Sequence, residues 1–294
     1  MDLPRSPAEL VERLDDVDYL ADEGLATAAF LALRMGRPLF VEGEAGVGKT
    51  ALAQALADAL HVPLIRLQCY EGLDAAQALY DWDFPRQLLH LRAAEAAGIS
   101  DADRLEQELY DRRFLLARPL LQAVERGTED RPAVLLVDEV DRADDEFEAF
   151  LLEVLSDFTV SIPEIGTIRA DHPPVVVVTS NRTREVHDAL KRRCLYHWLD
   201  HPDFDREVAV IQRRIPAADG DLVADVAGAA QRLRTMDLVK PPGLAESIDW
   251  AAALATLGAR SLDRDLAART LGAAVKYRED QERVLAAPAE RWLP

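Results

Sequence analysis

The sequence predicts an α/β protein, in which a parallel sheet flanked by helices is followed by a small all-helical domain. Short apolar strands alternate with helical patterns up to about residue 200, which is the layout of a parallel sheet covered on both faces. A glycine-rich turn lies between the first strand and its helix, and after His201 only helical spacing continues. We therefore expect an α/β domain over residues 1–200 and a helical domain over residues 201–294.

Composition narrows the class of protein. The chain has 294 residues, 49% hydrophobic and 30% charged, which suits a folded core. Its net charge of -19 argues against a general nucleic-acid binder. The purest apolar runs, Ala133–Val137 and Val175–Val178, fall far short of the roughly 20 residues of a spanning helix. Two cysteines and no visible secretory signal predict a cytoplasmic protein without membrane insertion.

The first elements follow from apolar spacing and from turn residues. Residues 6–35 show helical spacing, and Gly36 and Pro38 end that pattern. Next come a predicted strand over residues 37–42, a helix over 50–60 and a second strand over 62–68.

The later elements complete this plan. Two apolar strands are predicted at Val134–Val137 and Val175–Thr179, a hairpin at Phe158–Ile168, and a helical stretch at Arg184–Lys191. Four helical patterns then follow one another, separated by proline and glycine, over residues 204–214, 221–235, 244–257 and 262–278.

The turn between the first strand and its helix carries the pattern G-x-x-x-x-G-K-[ST]. Its residues are Gly43, Glu44, Ala45, Gly46, Val47, Gly48, Lys49 and Thr50. Glycines let backbone N–H groups converge on phosphate oxygens at a helix N-terminus. Lys49 would neutralise the β and γ phosphates, and the Thr50 hydroxyl would bind Mg²⁺. The pattern therefore predicts ATP and Mg²⁺ as cofactors.

Two carboxylates follow the strand Val134–Val137. Asp138 would face the Mg²⁺ shell, and Glu139 would polarise a water for in-line attack. Acids at strand ends also serve as caps and turn residues. Beside the phosphate-binding turn, however, the pair predicts ATP hydrolysis, because a small-molecule kinase needs no water-activating acid.

Polar residues after the next strand are candidates for sensing the γ phosphate. Asn181 follows Val175–Thr179 and could reach the γ phosphate or the attacking water, although asparagine there also suits a turn. Arg192 and Arg193 end the following helical stretch. A guanidinium there could enter a neighbouring subunit's site and stabilise transition-state charge, or it could simply favour the helix C-terminus.

Together these motifs resemble the AAA+ ATPases and, within them, the MoxR branch. The resemblance rests on the Walker A segment Gly43–Thr50, the Walker B segment Val137–Arg142, Thr179–Asn181 and Leu190–Arg193. Three further stretches are similar to a CoxD-like subgroup: Gln68–Asp74, Arg118–Ala123 and Lys240–Trp250.

The resemblance implies a chaperone-like ATPase that assembles into a homo-oligomeric, often hexameric, ring. It also implies a partner protein with a von Willebrand factor A domain and a client metalloenzyme. For the CoxD-like subgroup, that client would be a molybdenum-containing carbon monoxide dehydrogenase or a related hydroxylase under maturation.

One departure from the family pattern leaves alternatives open. AAA+ lids usually carry an arginine at the start of a late helix, whereas Glu246 and Ser247 stand there in this sequence. Lys240, Arg260 or Arg264 could supply the contact instead, or the protein could be a nucleotide-gated scaffold with little hydrolysis. A DNA-directed AAA+ protein would share the same nucleotide site, but the acidic charge argues against it.

Overall fold

The computed structural model describes residues 2–98, 101–128 and 132–294. Its strands are β1 Leu39–Gly43, β2 Leu64–Gln68, β3 Tyr80–Trp82, β4 Leu115–Ala117, β5 Val134–Asp138, β6 Thr159–Ile162, β7 Gly166–Arg169, β8 Val175–Ser180 and β9 Leu195–Leu199. In the first 200 residues the helices are α1 Pro7–Asp15, α2 Glu23–Met35, α3 Lys49–Ala59, α4 Ala75–Leu79, α5 Phe84–Ala96, α6 Ala102–Leu109, α7 Pro119–Thr128, α8 Asp145–Asp157 and α9 Asp188–Arg193. After β9 come α10 Phe204–Arg214, α11 Gly220–Arg234, α12 Leu244–Thr256, α13 Arg264–Thr270 and α14 Arg278–Ala286.

The central sheet has five strands in the order β2-β5-β8-β1-β9, and every pair in it is parallel. This confirms the predicted fold class of a parallel sheet flanked by helices, followed by a helical region. The predicted hairpin is also confirmed, because β6 and β7 pair in antiparallel register.

Each face of the sheet packs on its own apolar core. Leu39 and Val41 face a core with helices α1, α2 and α3, while Phe40, between them in sequence, faces a core with α7 and α8. This alternation follows from the period of two in a strand. Since both faces are covered, β5 and β8 read as nearly continuous runs of valine and leucine.

The parallel register brings the carboxyl ends of the strands to one edge of the sheet. Gln68 at the end of β2 lies opposite Asp138 at the end of β5. Glu42, next to the end of β1, lies opposite Ser180 at the end of β8. The order of the strands reverses beside β1, and such a switch point is where α/β sheets bind ligands.

The helix predicted over residues 6–35 is wrong as a single element. The structure has two helices, α1 and α2, joined by residues 16–22. Asp15, Asp16 and Asp18 stand at the carboxyl end of α1, where negative charge opposes the helix dipole. Asp18 turns the chain with a φ of 60°, and Asp22 caps α2 by accepting a hydrogen bond from Leu25 N at 2.6 Å.

Two further helical segments are shorter than predicted. Of the stretch 184–191, only the part from Asp188 is helical. His187 precedes it as the N-cap, and its N–H donates to Glu148 at 2.8 Å instead of entering a helix that starts earlier. The pattern over 262–278 contains only α13 and a single 3₁₀ turn, Leu271–Ala273. Tyr277 is extended, and α14 begins at Arg278, where the predicted helix ends.

The segment between β2 and α7 contains elements that apolar spacing did not predict. Helices α4, α5 and α6 and the β3–β4 pair lie there. Trp82 packs edge-on against Tyr80 and Tyr110, at ring distances of 6.2 and 5.4 Å, whereas Phe84 is 67% exposed. In this segment Tyr80 and Trp82 therefore pack against other aromatic rings, whereas Phe84 lies on the surface.

The helices after β9 enclose a separate apolar core, which includes Trp250 and Trp292. A buried ion pair lies at its margin. Arg234 donates two hydrogen bonds of 2.7 Å to Glu207, and Ser247 Oγ donates a third to the same carboxylate at 2.7 Å. Among the described residues, every helix is too short or too polar to span a lipid bilayer.

We expect Glu207→Ala to destabilise the helical region by about 3–5 kcal/mol, because it leaves the nearly buried guanidinium of Arg234 without a counter-ion. Glu282→Ala is the matched control. It removes an exposed carboxylate that lies 2.8 Å from Arg278, and it should cost at most about 1 kcal/mol. Urea unfolding followed by tryptophan fluorescence measures both changes. Equal destabilisation by the two variants would contradict the role of the buried pair.

Candidate functional site

The turn between β1 and α3 forms a backbone cradle. Gly46 and Gly48 have φ values of 82° and 104°, a conformation that favours glycine. A Cβ atom on Gly43 would lie 2.3 Å from the carbonyl oxygen of Leu199. Glycine at these positions thus permits both the turn and the close approach of β9, and it leaves the N-terminus of α3 open toward the cradle.

Lys49 extends into this cradle from the first turn of α3. The side chain is 6% exposed, and Nζ donates hydrogen bonds to the carbonyl oxygens of Gly43 at 2.9 Å and Glu44 at 2.6 Å. Burial lowers the pKa of Lys49, while Asp141, Asp138 and other nearby carboxylates act in the opposite direction. An ammonium held only by carbonyl groups can exchange those partners for phosphate oxygens.

Thr50 and Asp138 bring a hydroxyl and a carboxylate together beside the cradle. Thr50 Oγ1 lies 3.1 Å from Asp138 Oδ1, and Thr179 Oγ1 donates to the same oxygen at 2.6 Å. Asp138 is only 2% exposed. Oxygen donors of this kind are the ligands that Mg²⁺ prefers, with waters and phosphates completing its shell. The residues present therefore fit a magnesium ion.

The backbone of Glu139 adopts the left-handed conformation, with a φ of 56°, which is uncommon for a residue other than glycine. Its N–H donates to Thr179 Oγ1 at 2.9 Å, which ties this turn to β8. Three side chains hold the carboxylate. Gln68 Nε2 and Asn181 Nδ2 donate to it at 3.1 and 3.0 Å, and Arg142 Nε lies 3.0 Å away. The carboxylate is oriented but remains partly open to solvent.

Asp141 anchors the loop that carries Asn181. Its carboxylate accepts hydrogen bonds from Asn181 N at 3.1 Å, Thr183 N at 2.8 Å and Thr183 Oγ1 at 2.7 Å. Burial raises the pKa of Asp141, but these hydrogen bonds outweigh burial and leave the pKa below its ordinary value. The ionised carboxylate thus fixes the position of Asn181 beside Glu139.

Arg192 and Arg193 lie on an exposed face at the end of α9. Arg37 holds the backbone there, with hydrogen bonds of 2.7 Å to the Arg192 carbonyl oxygen and 3.0 Å to that of Arg193. Arg193 itself donates to the Leu152 carbonyl oxygen at 3.1 Å. Neither arginine lines the cavity at the cradle in its own chain.

The cradle opens into a cavity of about 780 Å³. Its walls come from the cradle, the segment before α2, the end of β9 and the helices α10 and α12. The lining includes Asp18, Tyr19, Leu20, Lys49, Thr50, Asp138, Glu139, Asn181, His201, Arg206, Val210, Arg214 and Ile248. The cavity lining therefore combines charged side chains with apolar ones such as Tyr19, Val210 and Ile248.

The start of α12 packs directly on the cradle, where the family pattern expects an arginine. Ala245 N donates to the Gly46 carbonyl oxygen at 3.2 Å. Glu246 caps its own helix by accepting from Gly243 N at 3.0 Å. None of Lys240, Arg260 and Arg264, all of them described, lines the cavity.

Two arginines of α10 line the cavity instead. Arg206 is engaged with Asp22 at 3.2 Å and with the Leu20 carbonyl oxygen. Arg214 stands two helical turns further along the same face of α10, which follows from the spacing of eight residues.

The sequence analysis assigned no role at the site to Arg66, Gln68, Thr179, Arg206 or Arg214, although Gln68 and Thr179 lie in stretches that carry the family resemblance. The alternation along β2 offered a signal, because Arg66 and Gln68 point to one side of the strand that pairs with β5. For the two arginines of α10 the signal was only their shared helix face.

Comparison with known proteins identifies a matching domain family, a relative by sequence and relatives by structure. The model of the AAA domain (dynein-related subfamily) matches residues 38–194, more than half of the chain. An uncharacterised protein of Staphylococcus haemolyticus is 24% identical over 223 residues, covering 74% of this chain and 75% of that protein. The Thermotoga maritima RuvB Holliday junction branch migration motor is 16% identical, covering 91% of this chain and 71% of that one, with a TM-score of 0.46. A variant of that motor is also 16% identical, covering 92% and 73%, with a TM-score of 0.47.

We expect Asp141→Asn to lower the free energy of unfolding by about 1–3 kcal/mol near neutral pH, since an amide cannot accept all three hydrogen bonds. The folded pKa of Asp141 lies below the unfolded value of about 3.9. The advantage of the wild type is therefore complete above that pH and declines as the pH falls through the folded pKa.

Urea unfolding of both proteins, from neutral pH down to about pH 3, measures this difference. Asp145→Asn is the control, because the Asp145 side chain is 86% exposed. A difference between wild type and Asp141→Asn that stays constant or grows in acid would contradict the anchoring role of the ionised carboxylate.

Proposed function

Because the chain belongs to the AAA domain family (dynein-related subfamily), we propose that it is a Mg²⁺-dependent ATPase of the MoxR type. It would couple ATP hydrolysis to the remodelling or maturation of a client protein. The observation that carries the proposal is the convergence of Lys49, Thr50, Asp138, Glu139 and Asn181 on one cavity beside a backbone cradle.

In this proposal the cradle and Lys49 bind the triphosphate. The N–H groups of residues 43–50 and the N-terminus of α3 face the phosphates. Lys49 exchanges its contacts with the Gly43 and Glu44 carbonyl oxygens for contacts with the β and γ phosphates. Thr50 and Asp138 would hold Mg²⁺, which when bound neutralises charge that develops on the phosphate oxygens.

Glu139 is the proposed general base. Gln68 and Asn181 hold opposite oxygens of its carboxylate, so it can accept a proton from a water in line with the γ phosphate. Asn181 lies between this carboxylate and the loop anchored by Asp141. We propose that the same amide contacts the γ phosphate, so that the conformation of this loop depends on whether the γ phosphate is bound.

Arg192 and Arg193 are proposed to act on a neighbouring copy. Both are exposed and lie outside the cavity of their own chain, so a guanidinium can complete a site only across an interface. A head-to-tail arrangement of copies forms a ring when the rotation between neighbours closes, and we propose a homo-oligomer with the hexamer as its working form.

The contact between α12 and the cradle offers a route for coupling. Ala245 N donates a hydrogen bond to the Gly46 carbonyl oxygen at 3.2 Å, so a movement of Gly46 on phosphate binding would act directly on α12. We propose that residues 1–200 and 201–294 act as two bodies that change their angle during turnover. The β6–β7 hairpin and the aromatic segment Tyr70–Phe84 are the candidate surfaces for a client.

The finer assignments come from the resemblance to the CoxD-like subgroup. The proposed client is a molybdenum-containing carbon monoxide dehydrogenase-type hydroxylase, and the proposed partner carries a von Willebrand factor A domain. The cytoplasm is the proposed location. The net charge of -19 disfavours a DNA-directed role.

A second candidate function is a nucleotide-gated assembly scaffold with little hydrolysis. The observation in its favour is the start of α12, where Glu246 rather than an arginine lies against the cradle. Steady-state phosphate release distinguishes the two functions, because a vigorous basal rate is incompatible with a pure scaffold.

We expect Glu139→Gln to bind ATP with nearly unchanged affinity and to hydrolyse it about 10²–10⁴-fold more slowly, because it lacks the base. Phosphate release and calorimetric ATP binding measure these effects. Glu146→Gln, at an exposed position near the start of α8, is the control and should match the wild type. Undiminished turnover by Glu139→Gln would remove Glu139 from its role.

A mixing experiment tests the action of the arginines between copies. Arg192→Ala/Arg193→Ala protein keeps its base but lacks the guanidinium groups, and Glu139→Gln protein has the opposite defect. Each alone should be inactive, with a loss of about 10³-fold or more for the arginines. Mixed oligomers should regain turnover where an intact arginine meets an intact base. No recovery in oligomers shown to be mixed would contradict action across the interface.

A further inference from the structure

An arginine of the central sheet is paired with the aspartate proposed to bind magnesium. Arg66 Nη2 donates to Asp138 Oδ2 at 2.6 Å. The side chain of Arg66 is 52% exposed, whereas that of Asp138 is 3% exposed. The buried carboxylate thus has its counter-ion on the solvent side.

The hydrogen bonds of Asp138 leave little room for a second cation. Oδ1 accepts from Thr179 Oγ1 at 2.6 Å and from Thr50 Oγ1 at 3.1 Å, while Oδ2 faces Arg66. A buried carboxylate is stabilised by one nearby positive charge, and two cations at the same oxygen repel each other strongly. A divalent ion at Asp138 would therefore compete with the guanidinium.

We propose that Arg66 is a resident counter-ion of Asp138 and that Mg²⁺ must displace it to enter the site. This inference rests on the proposed function as a Mg²⁺-dependent ATPase. Arg66 thereby raises the Mg²⁺ concentration that the nucleotide complex requires. It also keeps Asp138 neutralised whenever metal is absent.

The structure gives Arg66 freedom to leave. It lies on β2, which is an edge strand of the five-stranded sheet. Half of its side chain already contacts solvent, so the guanidinium can move outward without a large desolvation change. Asp138, in contrast, is fixed by Thr179 and by its place at the end of a central strand.

Displacement of Arg66 also reaches the proposed general base. The same Nη2 donates to Gln68 Oε1 at 2.6 Å, and Gln68 Nε2 donates to Glu139 Oε2 at 3.1 Å. When Arg66 leaves, Gln68 loses one of the three hydrogen bonds of its amide and keeps those from Nε2 to Glu139 and to the Cys69 carbonyl oxygen at 3.4 Å. Metal entry is therefore linked to the orientation of Glu139 through Arg66 and Gln68.

The test measures metal affinity in the complex with a non-hydrolysable ATP analogue, AMPPNP. Excess protein is first mixed with AMPPNP in the presence of a metal chelator, and the chelator is then removed. Mn²⁺ is titrated into this metal-free complex, and electron paramagnetic resonance measures the concentration of free Mn²⁺. We expect Arg66→Gln to lower the midpoint roughly tenfold or more, because the competing charge is gone. Arg66→Lys keeps the positive charge but lacks the planar guanidinium. Its Mn²⁺ midpoint should lie between those of the wild type and Arg66→Gln.

Arg142→Gln is the matched control, because it removes the same charge at the same edge of the sheet. Arg142 pairs with Glu139 at 3.0 Å, and its side chain is 56% exposed. Its midpoint should stay within about threefold of the wild type, since a surface ion pair contributes at most about 1 kcal/mol.

Each outcome supports or overturns the inference. Weaker Mn²⁺ binding by Arg66→Gln, an unchanged midpoint, or equal shifts in Arg66→Gln and Arg142→Gln would each overturn it. Binding of AMPPNP before any metal is added tests the nucleotide site of the proposed function separately from the role of Arg66. If wild-type protein does not bind AMPPNP at all, the nucleotide site itself is wrong and the inference falls with it.

Discussion

The parallel register of the central sheet is the constraint on which the site depends. Strands β2, β5, β8 and β1 run in one direction, so their carboxyl ends meet at a single edge. Residues far apart in sequence, such as Gln68, Asp138 and Ser180, end neighbouring strands there. A shift of one residue in the pairing of β5 would turn Asp138 to the opposite face. The two apolar cores oppose such a shift, because it would exchange the side chains that β5 packs against each core and disturb the close packing of both.

The polar groups at this edge form a connected network rather than separate pairs. Thr179 joins Asp138 to the backbone of Glu139, and Asp141 holds the loop of Asn181. Buried polar groups are costly unless each has its partners. Because the partners are present, the side chains are held in place before any ligand arrives. Preorganisation of this kind lowers the cost of stabilising charge in a transition state.

Much of this arrangement could be predicted from the sequence, since strands, glycines and prolines carry strong local signals. The fold class, the hairpin and the cradle between β1 and α3 follow from patterns of a few residues. The break between α1 and α2 could have been inferred from the acidic residues Asp15, Asp16 and Asp18. It was missed because the apolar spacing continues across the break.

Other features depend on contacts that no local pattern encodes. Arg66 approaches Asp138 only through the pairing of β2 with β5. Helix α10 reaches the cavity only through long-range contacts such as that between Arg206 and Asp22. The proposed role of Arg192 and Arg193 requires a second copy of the chain, whose site they would complete. Their roles, and those of the other site residues, stay predictions that the experiments above test.

The site described here depends on a triphosphate that binds at the cradle beside Lys49. Calorimetric titration of ATP into wild-type protein, Lys49→Ala and the exposed control Lys276→Ala measures this binding. We expect Lys49→Ala to lose roughly a hundredfold in ATP affinity, as for a charged hydrogen bond worth about 3 kcal/mol, and the control to bind as the wild type does. Full ATP affinity in Lys49→Ala would show that the triphosphate does not bind there.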